Sequence, residues 1–319
     1  MTTREAVLTA LKRAGEAGVS GEALARDLGV SRVAVGKHVA ALRDTGYDIT
    51  AEPGVGYRLI GAPDAPLPAE VSPLLASRFW VGLSGGGRTG STNDDARALA
   101  RAGAPEGAAV LASRQTAGRG RLGREWVSPE GGAYVSAVLR PGIAPAHVGS
   151  LGLAIGLGIA RGLAAAFGVD ASLKWPNDVQ LSGRKLAGIL LEMAAETDRV
   201  DWVVAGVGVN VHRSAGIPDE VACLEDVVSG VRIAPVAAAV LDGIAGTYAQ
   251  WLAEGFSAMR GEYESRLAIL GDDVTVRDMM GAVRASGRVV GVDDEGRILL
   301  ESGGGVEAVS SGEVTLRDL

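Results

Sequence analysis

The sequence contains very little cysteine and few aromatic residues. Cys223 is the single cysteine among 319 residues, and aromatic residues make up 4% of the chain. One thiol excludes an intramolecular disulfide and cysteine-based zinc sites, and it is typical of a reducing compartment. No signal peptide is recognisable at the start of the sequence. We therefore expect a cytoplasmic protein.

Long apolar runs and an excess of positive charge are also missing. The most apolar run, residues 148–160, ends at Arg161 and is too short to span a bilayer, so we expect a buried helix and no membrane association. The net charge of −7 argues against a chain wrapped in nucleic acid. Residues 1–60 differ, because they hold eight basic side chains against seven acidic ones. This asymmetry permits DNA binding by the N-terminal segment.

Helix caps and turns predict the organisation of the first sixty residues. Thr2 and Glu5 have capping-box spacing, and Ser20 and Ser31 are plausible N-caps of two further helices. A hairpin follows, with its turn at residues 52–56. Three helices and a hairpin predict a winged helix-turn-helix over residues 1–61, followed by a Pro-rich linker over 62–73.

The secondary-structure pattern of the rest of the chain changes once, at about residue 269. Over residues 74–268, helical and strand patterns alternate, which predicts an α/β domain. Residues 236–267 are predicted to be largely helical. Over residues 269–319, short Val-rich runs separated by turns predict a small β-barrel.

The strongest motif is a loop rich in glycine and arginine, Gln115–Arg124. Glycine lets the backbone approach a ligand closely, and guanidinium groups offer paired donors to phosphate or carboxylate. The loop therefore indicates a polyanion site, with a solvated basic turn as the simpler alternative. Its glycines also match the dinucleotide fingerprint, but a strand rather than a helix follows and no acid stands about twenty residues on. A Walker A loop is excluded, because no Gly-Lys-Ser/Thr follows.

Three further motifs place polar groups at the ends of predicted elements. They are Lys174–Asp178 with the following hairpin strand Arg184–Glu192, the strand end Gly206–Asn210, and the helix start Gly90–Asn93. The first suits phosphate, a metal ion or a polar small molecule. The second allows close ligand approach, and the third offers free N–H groups. A structural turn, core packing and ordinary N-capping, respectively, are the alternatives.

Taken in order, these residues resemble the bacterial biotin–protein ligases. The matching segments are Ser91–Asn93, Gly118–Gly123, Lys174–Asp178, Arg184–Glu192, Gly206–Asn210 and the C-terminal Ser311–Arg317. The resemblance spans the chain. It implies an α+β/α/β multidomain protein with an N-terminal winged helix-turn-helix, a central class II synthetase-like α/β ligase domain and a C-terminal SH3-like β-barrel.

The resemblance also implies a two-step reaction with ATP, biotin and Mg²⁺. The biotin carboxylate attacks the α-phosphate of ATP to give biotinyl-5′-AMP, and a lysine of a biotin carboxyl carrier protein then attacks the mixed anhydride. The residues implied are, for biotin, Ser91, Thr92, Asn93, Gln115, Gly118, Arg119, Gly120, Arg121 and Lys185; for the nucleotide, Arg121, Lys174, Asn177, Lys185 and Asn210; for catalysis, Arg119, Arg121 and Lys185; and for the metal, Asp178.

One segment departs from the family pattern. Well-studied members can stack an aromatic side chain on the adenine beyond the Gly206–Asn210 strand, whereas residues 211–224 contain no Trp, Tyr or Phe. We therefore expect an aliphatic group or another segment to cover the purine.

The family parallel for the N-terminal domain is the biotin-operon repressor, which implies operator DNA and a ligand-promoted homodimer; the alternative is a winged helix that serves only for packing or dimerisation. The recognition helix is predicted at Ser31–Arg43. The candidate DNA-contacting residues are Ser31, Arg32, Lys37 and Arg43, with Arg58 in the hairpin. The inward face is Val35, Val39 and Leu42.

Three functions are open at this point. The chain is a bifunctional ligase and repressor, a ligase whose winged helix does not read DNA, or a transcription factor that senses a small anion without catalysis. The basic loop, Lys185 and the Lys174–Asp178 motif together favour catalysis over sensing.

Overall fold

The structure is a computed structural model that describes residues 2–278 and 280–316. Residue contacts divide the chain into two compact units, Met1–Asp64 and Ala65–Leu319. The domain bounds given above stay a prediction. Arg317, the last residue of the C-terminal motif, lies outside the described residues.

The first unit is a helix-turn-helix followed by an antiparallel hairpin. Its elements are α1 (Thr3–Ala14), α2 (Gly21–Leu28), α3 (Arg32–Asp44), β1 (Asp48–Glu52) and β2 (Gly56–Gly61). The predicted caps are confirmed: Thr2 forms a reciprocal capping box, and the Ser20 and Ser31 side chains each accept a backbone N–H bond. The inward residues of α3 are buried as predicted: Val35, Val39 and Leu42.

The second unit is built on a seven-stranded sheet with helices on both faces. Its helices are α4 (Pro68–Val71), α5 (Thr92–Arg101), α6 (Val148–Phe167), α7 (Ile233–Glu254) and α8 (Ser257–Ser265). Its first strands are β3 (Gly82–Gly85), β4 (Arg88–Thr89), β5 (Ala108–Ala112), β6 (Arg114–Gln115), β7 (Gly132–Leu139), β8 (Ser172–Lys174), β9 (Asp178–Leu181), β10 (Arg184–Ala195) and β11 (Val200–Asn210).

The order of that sheet is β3-β5-β7-β11-β10-β9-β8. Only β3 and β5 pair in parallel, and the other five neighbouring pairs are antiparallel. The strand residues alternate between two cores, one under α6 and α7 and a smaller one under α5. The sheet therefore presents its β10 and β11 strands centrally, beside the start of α5.

The last part of the second unit is a five-stranded antiparallel sheet. Its strands are β12 (Asp273–Arg277), β13 (Val283–Val292), β14 (Ile298–Ser302), β15 (Gly305–Val309) and β16 (Glu313–Leu316), in the order β15-β14-β13-β12-β16. The predicted change to short strands is therefore observed.

Two local expectations differ from the structure. The predicted helical stretch 236–267 is broken, because Gly255 at φ +73° caps α7 before α8 starts. The predicted linker 62–73 is partly helical, since it contains α4, and Val71 is buried in the second unit's core. A hydrophobic contact therefore ties the end of this segment to the second unit.

Helices α6 and α7 approach each other through glycines. Ideal Cβ atoms at Gly158 and Gly243 would each collide with the backbone of the facing helix. By length and composition, the helical stretch Pro145–Phe167 could cross a membrane, but 61% of its apolar 18-residue window is buried inside the protein. Core helices can be equally long and apolar, and α6 packs as a core helix.

We predict that Gly243→Ala destabilises the protein by about 2 kcal/mol, because its methyl group would force the two helices apart. Gly246→Ala in the same helix is the matched control, since nothing lies within 4 Å of its Cβ position. This control should be neutral or stabilising by about 0.5–1 kcal/mol through helix propensity. Urea unfolding measures both, and equal free energies of unfolding for the two variants would contradict the close helix contact.

Candidate active-site pocket

A pocket of about 170 Å³ lies over β10 and β11, between the start of α5, the glycine–arginine loop and β16. Eleven of the thirteen residues predicted for ligand and metal binding line it: Ser91, Thr92, Asn93, Gln115, Arg119, Gly120, Arg121, Lys174, Asn177, Asp178 and Lys185. Four separate segments therefore meet at one site.

Gly118 and Asn210 are the two predicted residues that do not line the pocket. A Cβ atom at Gly118 would lie 2.5 Å from both Ser128 Oγ and the Trp126 carbonyl, so this glycine permits a close loop crossing. Asn210 is buried, and its Nδ2 donates to the Ala222 carbonyl at 3.3 Å. Its side chain therefore ties the end of β11 to the following loop.

One end of the pocket is polar and uncharged. Gln115 Oε1 accepts from the backbone N–H of Thr92 at 2.8 Å and from its hydroxyl at 3.0 Å. Gln115 Nε2 donates to Ser128 Oγ at 2.9 Å, and the Ser136 and Thr92 hydroxyl oxygens lie within hydrogen-bond distance of each other, at 2.8 Å. Buried polar groups bonded in this way are held in one orientation. This end can therefore match the donors and acceptors of a neutral polar ligand.

Asn93 connects this network to the central sheet. Its Oδ1 accepts from Ser136 at 2.7 Å, and its Nδ2 donates to Glu192 at 2.7 Å. Gly206 makes room for it, because a Cβ atom there would overlap the Asn93 amide. The first glycine of the Gly206–Asn210 motif therefore accommodates a protein side chain.

The glycine–arginine loop is held at its first arginine by carboxylates. Arg119 makes two bonds of 2.7 Å to Asp94 and lies 3.4 Å from Glu192. The hydrogen bond from Arg119 holds the pKa of Asp94 below its usual range, and the same bond raises the pKa of Arg119. Arg97 also pairs with both carboxylates. Arg119 is therefore engaged by the protein itself.

The other two arginines of the loop are placed differently. Arg124 forms a two-pronged ion pair with Glu313 of β16, and this contact lowers the pKa of Glu313. Within the described part of the chain, the hydrogen bond of Arg121 goes to a neutral acceptor, Asn177 Oδ1 at 3.2 Å, and burial lowers the pKa of its guanidinium. Of the three arginines, Arg121 is the one that lines the pocket with no carboxylate bonded to it among residues 2–278 and 280–316.

Lys185 and Trp126 form the next part of the wall. Lys185 Nζ lies 2.7 Å from Asp178 Oδ1 and 5.0 Å from the centroid of the Trp126 ring. The indole lies over Gly188 and Gly208, which are register partners on β10 and β11. Cβ atoms there would lie 2.8 Å and 2.5 Å from the ring. These two glycines therefore make a flat floor for the indole.

Sequence reasoning missed several of these residues. Trp126 lines the pocket, as do Gly312 and Glu313 from the C-terminal sheet. The glycines of two paired strands were a usable signal for Trp126, whereas Glu313 was marked only as part of the matching segment Ser311–Arg317, with no signal that it meets the loop. Within residues 2–278 and 280–316, no group of three His, Cys, Asp or Glu side chains could hold a metal ion.

The predicted DNA-contacting residues fall into two groups in the first unit. Arg32 and Lys37 are exposed on α3, and Ser31 is its N-cap. Arg43 donates twice to the Ile49 carbonyl, at 2.8 and 2.6 Å, and Arg58 lies 3.5 Å from Glu52. The last two side chains therefore support the hairpin.

Sequence profiles of three families match successive parts of the chain. Residues 3–58 match a helix-turn-helix domain, residues 85–210 match the Biotin/lipoate A/B protein ligase family, and residues 269–317 match the biotin protein ligase C-terminal domain. The second match contains the pocket residues of α5, the loop and β8–β11.

Similar proteins cover all or most of the chain. The bifunctional ligase/repressor BirA of Bacillus spizizenii is 36% identical, over 99% of this chain and 99% of that protein. The biotin–[acetyl-CoA-carboxylase] ligase of Paracoccus denitrificans is 38% identical, over 71% of this chain and 97% of its own length. The biotin protein ligase of Aquifex aeolicus in complex with biotin and ATP is 30% identical over 75% of this chain and 99% of that one, with a TM-score of 0.64. The chain therefore belongs to the biotin protein ligase family, with a helix-turn-helix domain matched over residues 3–58.

Proposed function

We propose that this protein activates biotin with ATP and transfers it to a lysine of a biotin carboxyl carrier protein. The observation that carries the proposal is the pocket itself, in which a neutral polar end meets a cationic end formed by Arg121, Lys174 and Lys185. A neutral ring system with a carboxylate tail fits the first end, and a triphosphate fits the second. A purely ligand-sensing transcription factor does not require this convergence.

The polar end is the site proposed for the biotin ring system. Ser91, Thr92 and Gln115 lie there, and the Gln115 amide is already fixed by its bonds to Thr92 and Ser128. Asn93 uses both ends of its amide within the protein. We therefore assign Asn93 to supporting this end and Gly118 to the loop crossing beside it.

The first step needs positive charge at the junction of the two ends. Biotin's carboxylate oxygen bonds to the α-phosphorus of ATP and pyrophosphate leaves, so two anions must meet. Arg121 and Lys185 can offset this repulsion, because both line the pocket and the bond of Arg121 within the described residues goes to a neutral amide. Lys174 and Asn177 lie at the same end for the nucleotide. Asn210 acts at a distance, by holding the loop after β11.

Mg²⁺ would be held mainly by the phosphates of ATP. The donor set of the protein fits this arrangement, because Asp178 lines the pocket and supplies a carboxylate whose Oδ1 is buried and lies 2.7 Å from Lys185 Nζ. Mg²⁺ keeps several waters and takes one or two carboxylates together with substrate phosphates. When bound, the ion neutralises phosphate charge. Asp178 is its proposed protein ligand.

Trp126 is the side chain proposed to cover the purine. It lines the pocket two residues beyond the glycine–arginine loop, and Gly188 and Gly208 fix the plane of its ring. An indole face beside a cationic wall is suited to a purine, since bases stack on aromatic rings. This assignment replaces the aromatic residue missing from residues 211–224.

In the second step, the ε-amine of the carrier lysine bonds to the acyl carbon and AMP leaves. Until then the mixed anhydride must be kept from water. The loop can do this while Arg119 and Arg124 hold it at two places. Gly120 lies between the anchored Arg119 and the pocket-facing Arg121.

We also propose that the first unit reads operator DNA and that the protein is a biotin-responsive repressor. Arg32 is exposed in the first turn of α3, and Lys37 is exposed on the face opposite Val35 and Val39, as a recognition helix requires. The proposal includes a ligand-promoted homodimer, a cytoplasmic location, a class II synthetase-like central domain over 74–268 and an SH3-like barrel over 269–319. The ligase that does not regulate transcription is the second candidate.

We predict that the purified protein biotinylates a carrier domain. The variants Arg119→Ala and Asp94→Asn should both release biotinyl-5′-AMP about five-fold faster, because each removes the partly exposed ion pair between Arg119 and Asp94 that anchors the loop. Filter-binding of labelled adenylate and the transfer assay measure both properties. Asp95→Asn is the matched control, since Asp95 bonds to Thr89 and not to the loop. No transfer by the wild-type protein would refute the ligase proposal, and equal retention in all variants would refute the anchoring role.

Replacing Trp126 by alanine tests the purine contact. We expect the KM for ATP to rise about ten-fold, the factor typical of one lost base–aromatic stack, with biotin affinity unchanged. Trp126→Phe should recover most of the affinity, because it keeps a ring. A parallel loss of biotin affinity, measured by calorimetry, would place Trp126 at the other end of the pocket.

Lys37→Ala should weaken DNA binding across all sequences and reduce the salt slope of the binding constant by about one unit, as loss of one phosphate contact does. Arg13→Ala, another exposed cation of the first unit, is the control. Electrophoretic mobility shifts with the protein's own upstream operon DNA, with biotin and ATP, supply the measurement. If the wild-type protein binds no DNA while it transfers biotin, the ligase without a regulatory role is the correct function.

A further inference from the structure

Trp175 connects the pocket to the C-terminal sheet. The indole is 2% exposed, and its Nε1 donates to the Gly296 carbonyl at 2.9 Å, across 121 residues of sequence. Its neighbours Lys174 and Asn177 line the pocket. A buried donor bonded to so distant an acceptor fixes the two segments relative to each other.

Gly296 lies in the turn between β13 and β14, and this turn is seated closely against the start of α6. A Cβ atom at Gly296 would lie 2.7 Å from the Ser150 nitrogen, and one at Gly149 would lie 2.9 Å from the Glu295 carbonyl. Gly296 has φ +81°, which glycine adopts without strain. The turn therefore fits its place only with glycines on both sides.

The turn is also stiffened from within. The Asp293 side chain accepts from the backbone N–H groups of Glu295 at 3.2 Å and Arg297 at 2.9 Å, and from Arg297 Nε at 2.6 Å. The carboxylate thus holds both sides of the turn. Displacement of the turn must therefore displace β13 and β14 with it.

The same sheet supplies one wall of the pocket. Strand β12 pairs with both β13 and β16, so the seated turn and Glu313 belong to one hydrogen-bonded body. Gly312, Glu313 and Val314 line the pocket. The positive charges of Lys174 and Arg121 also act on Glu313, so the pocket wall formed by β16 lies at the cationic end.

We propose that Trp175 is a positioning residue. Its indole N–H holds the β13–β14 turn in place through the Gly296 carbonyl, and this contact fixes the position of β16, which forms one wall at the nucleotide end of the pocket. The inference rests on the proposed ligase function for its consequence in catalysis. It concerns the ATP end alone, because the polar network of Thr92 and Gln115 makes no contact with this turn among the bonds described.

Trp175→Phe tests the inference, because it keeps a ring and removes the donor. We expect the KM for ATP to rise about five-fold, the factor for one lost hydrogen bond, with biotin affinity unchanged. Hydrogen exchange of the substrate-free full chain should become faster in β16. Trp202→Phe is the matched control, since Trp202 is another buried indole of the central sheet, packed under α5.

Gly296→Ala approaches the same contact from the other side and should reproduce both effects, because its methyl group collides with Ser150. The proposal is overturned if exchange in β16 is unchanged in both variants, if ATP and biotin affinities fall together, or if Trp202→Phe gives the same pattern. If the wild-type protein makes no adenylate, the ligase proposal fails, whereas the exchange comparison, which needs no substrate, still decides whether Trp175 seats the sheet.

Discussion

The pairing of one arginine-rich loop with carboxylates from several other elements determines the shape of the pocket. Arg119 is held by Asp94 of α5 and Glu192 of β10, and Arg124 is held by Glu313 of β16. These pairs lie at the surface or only partly buried, so each stabilises the fold only slightly. Their importance is geometric, because they close the loop over the sheet and leave Arg121, of the three loop arginines, available to an anionic ligand beside Lys174 and Lys185.

Local rules predicted much of the fold. The N-caps at Thr2, Ser20 and Ser31, and the helix that begins at Thr92, follow from patterns within a few residues, where the deciding interactions also lie. The pocket residues predicted from motifs meet for a related reason. Each motif stands at the end of a strand or the start of a helix, and the central sheet brings such ends together.

The features of the fold and of the pocket that the sequence did not predict depend mostly on contacts between distant parts of the chain. Glu192 is 73 residues from Arg119, and Glu313 is 189 residues from Arg124, so no local spacing could reveal either pair. The break between α7 and α8 depended on one positive-φ glycine within an otherwise helical composition. Asn210 was predicted near the nucleotide, but its amide is used by the loop that follows it.

The glycine floor beneath Trp126 has a consequence for how this sequence can change over time. Gly188 and Gly208 face each other on paired strands, and either gains a side chain only if the indole moves away. Loss of the indole would in turn leave both strands with uncovered backbone. Positions 126, 188 and 208 are therefore expected to change together. A substitution at one of them disrupts the packing of the indole on the strands, and only a coordinated replacement of all three gives a pocket of a different shape.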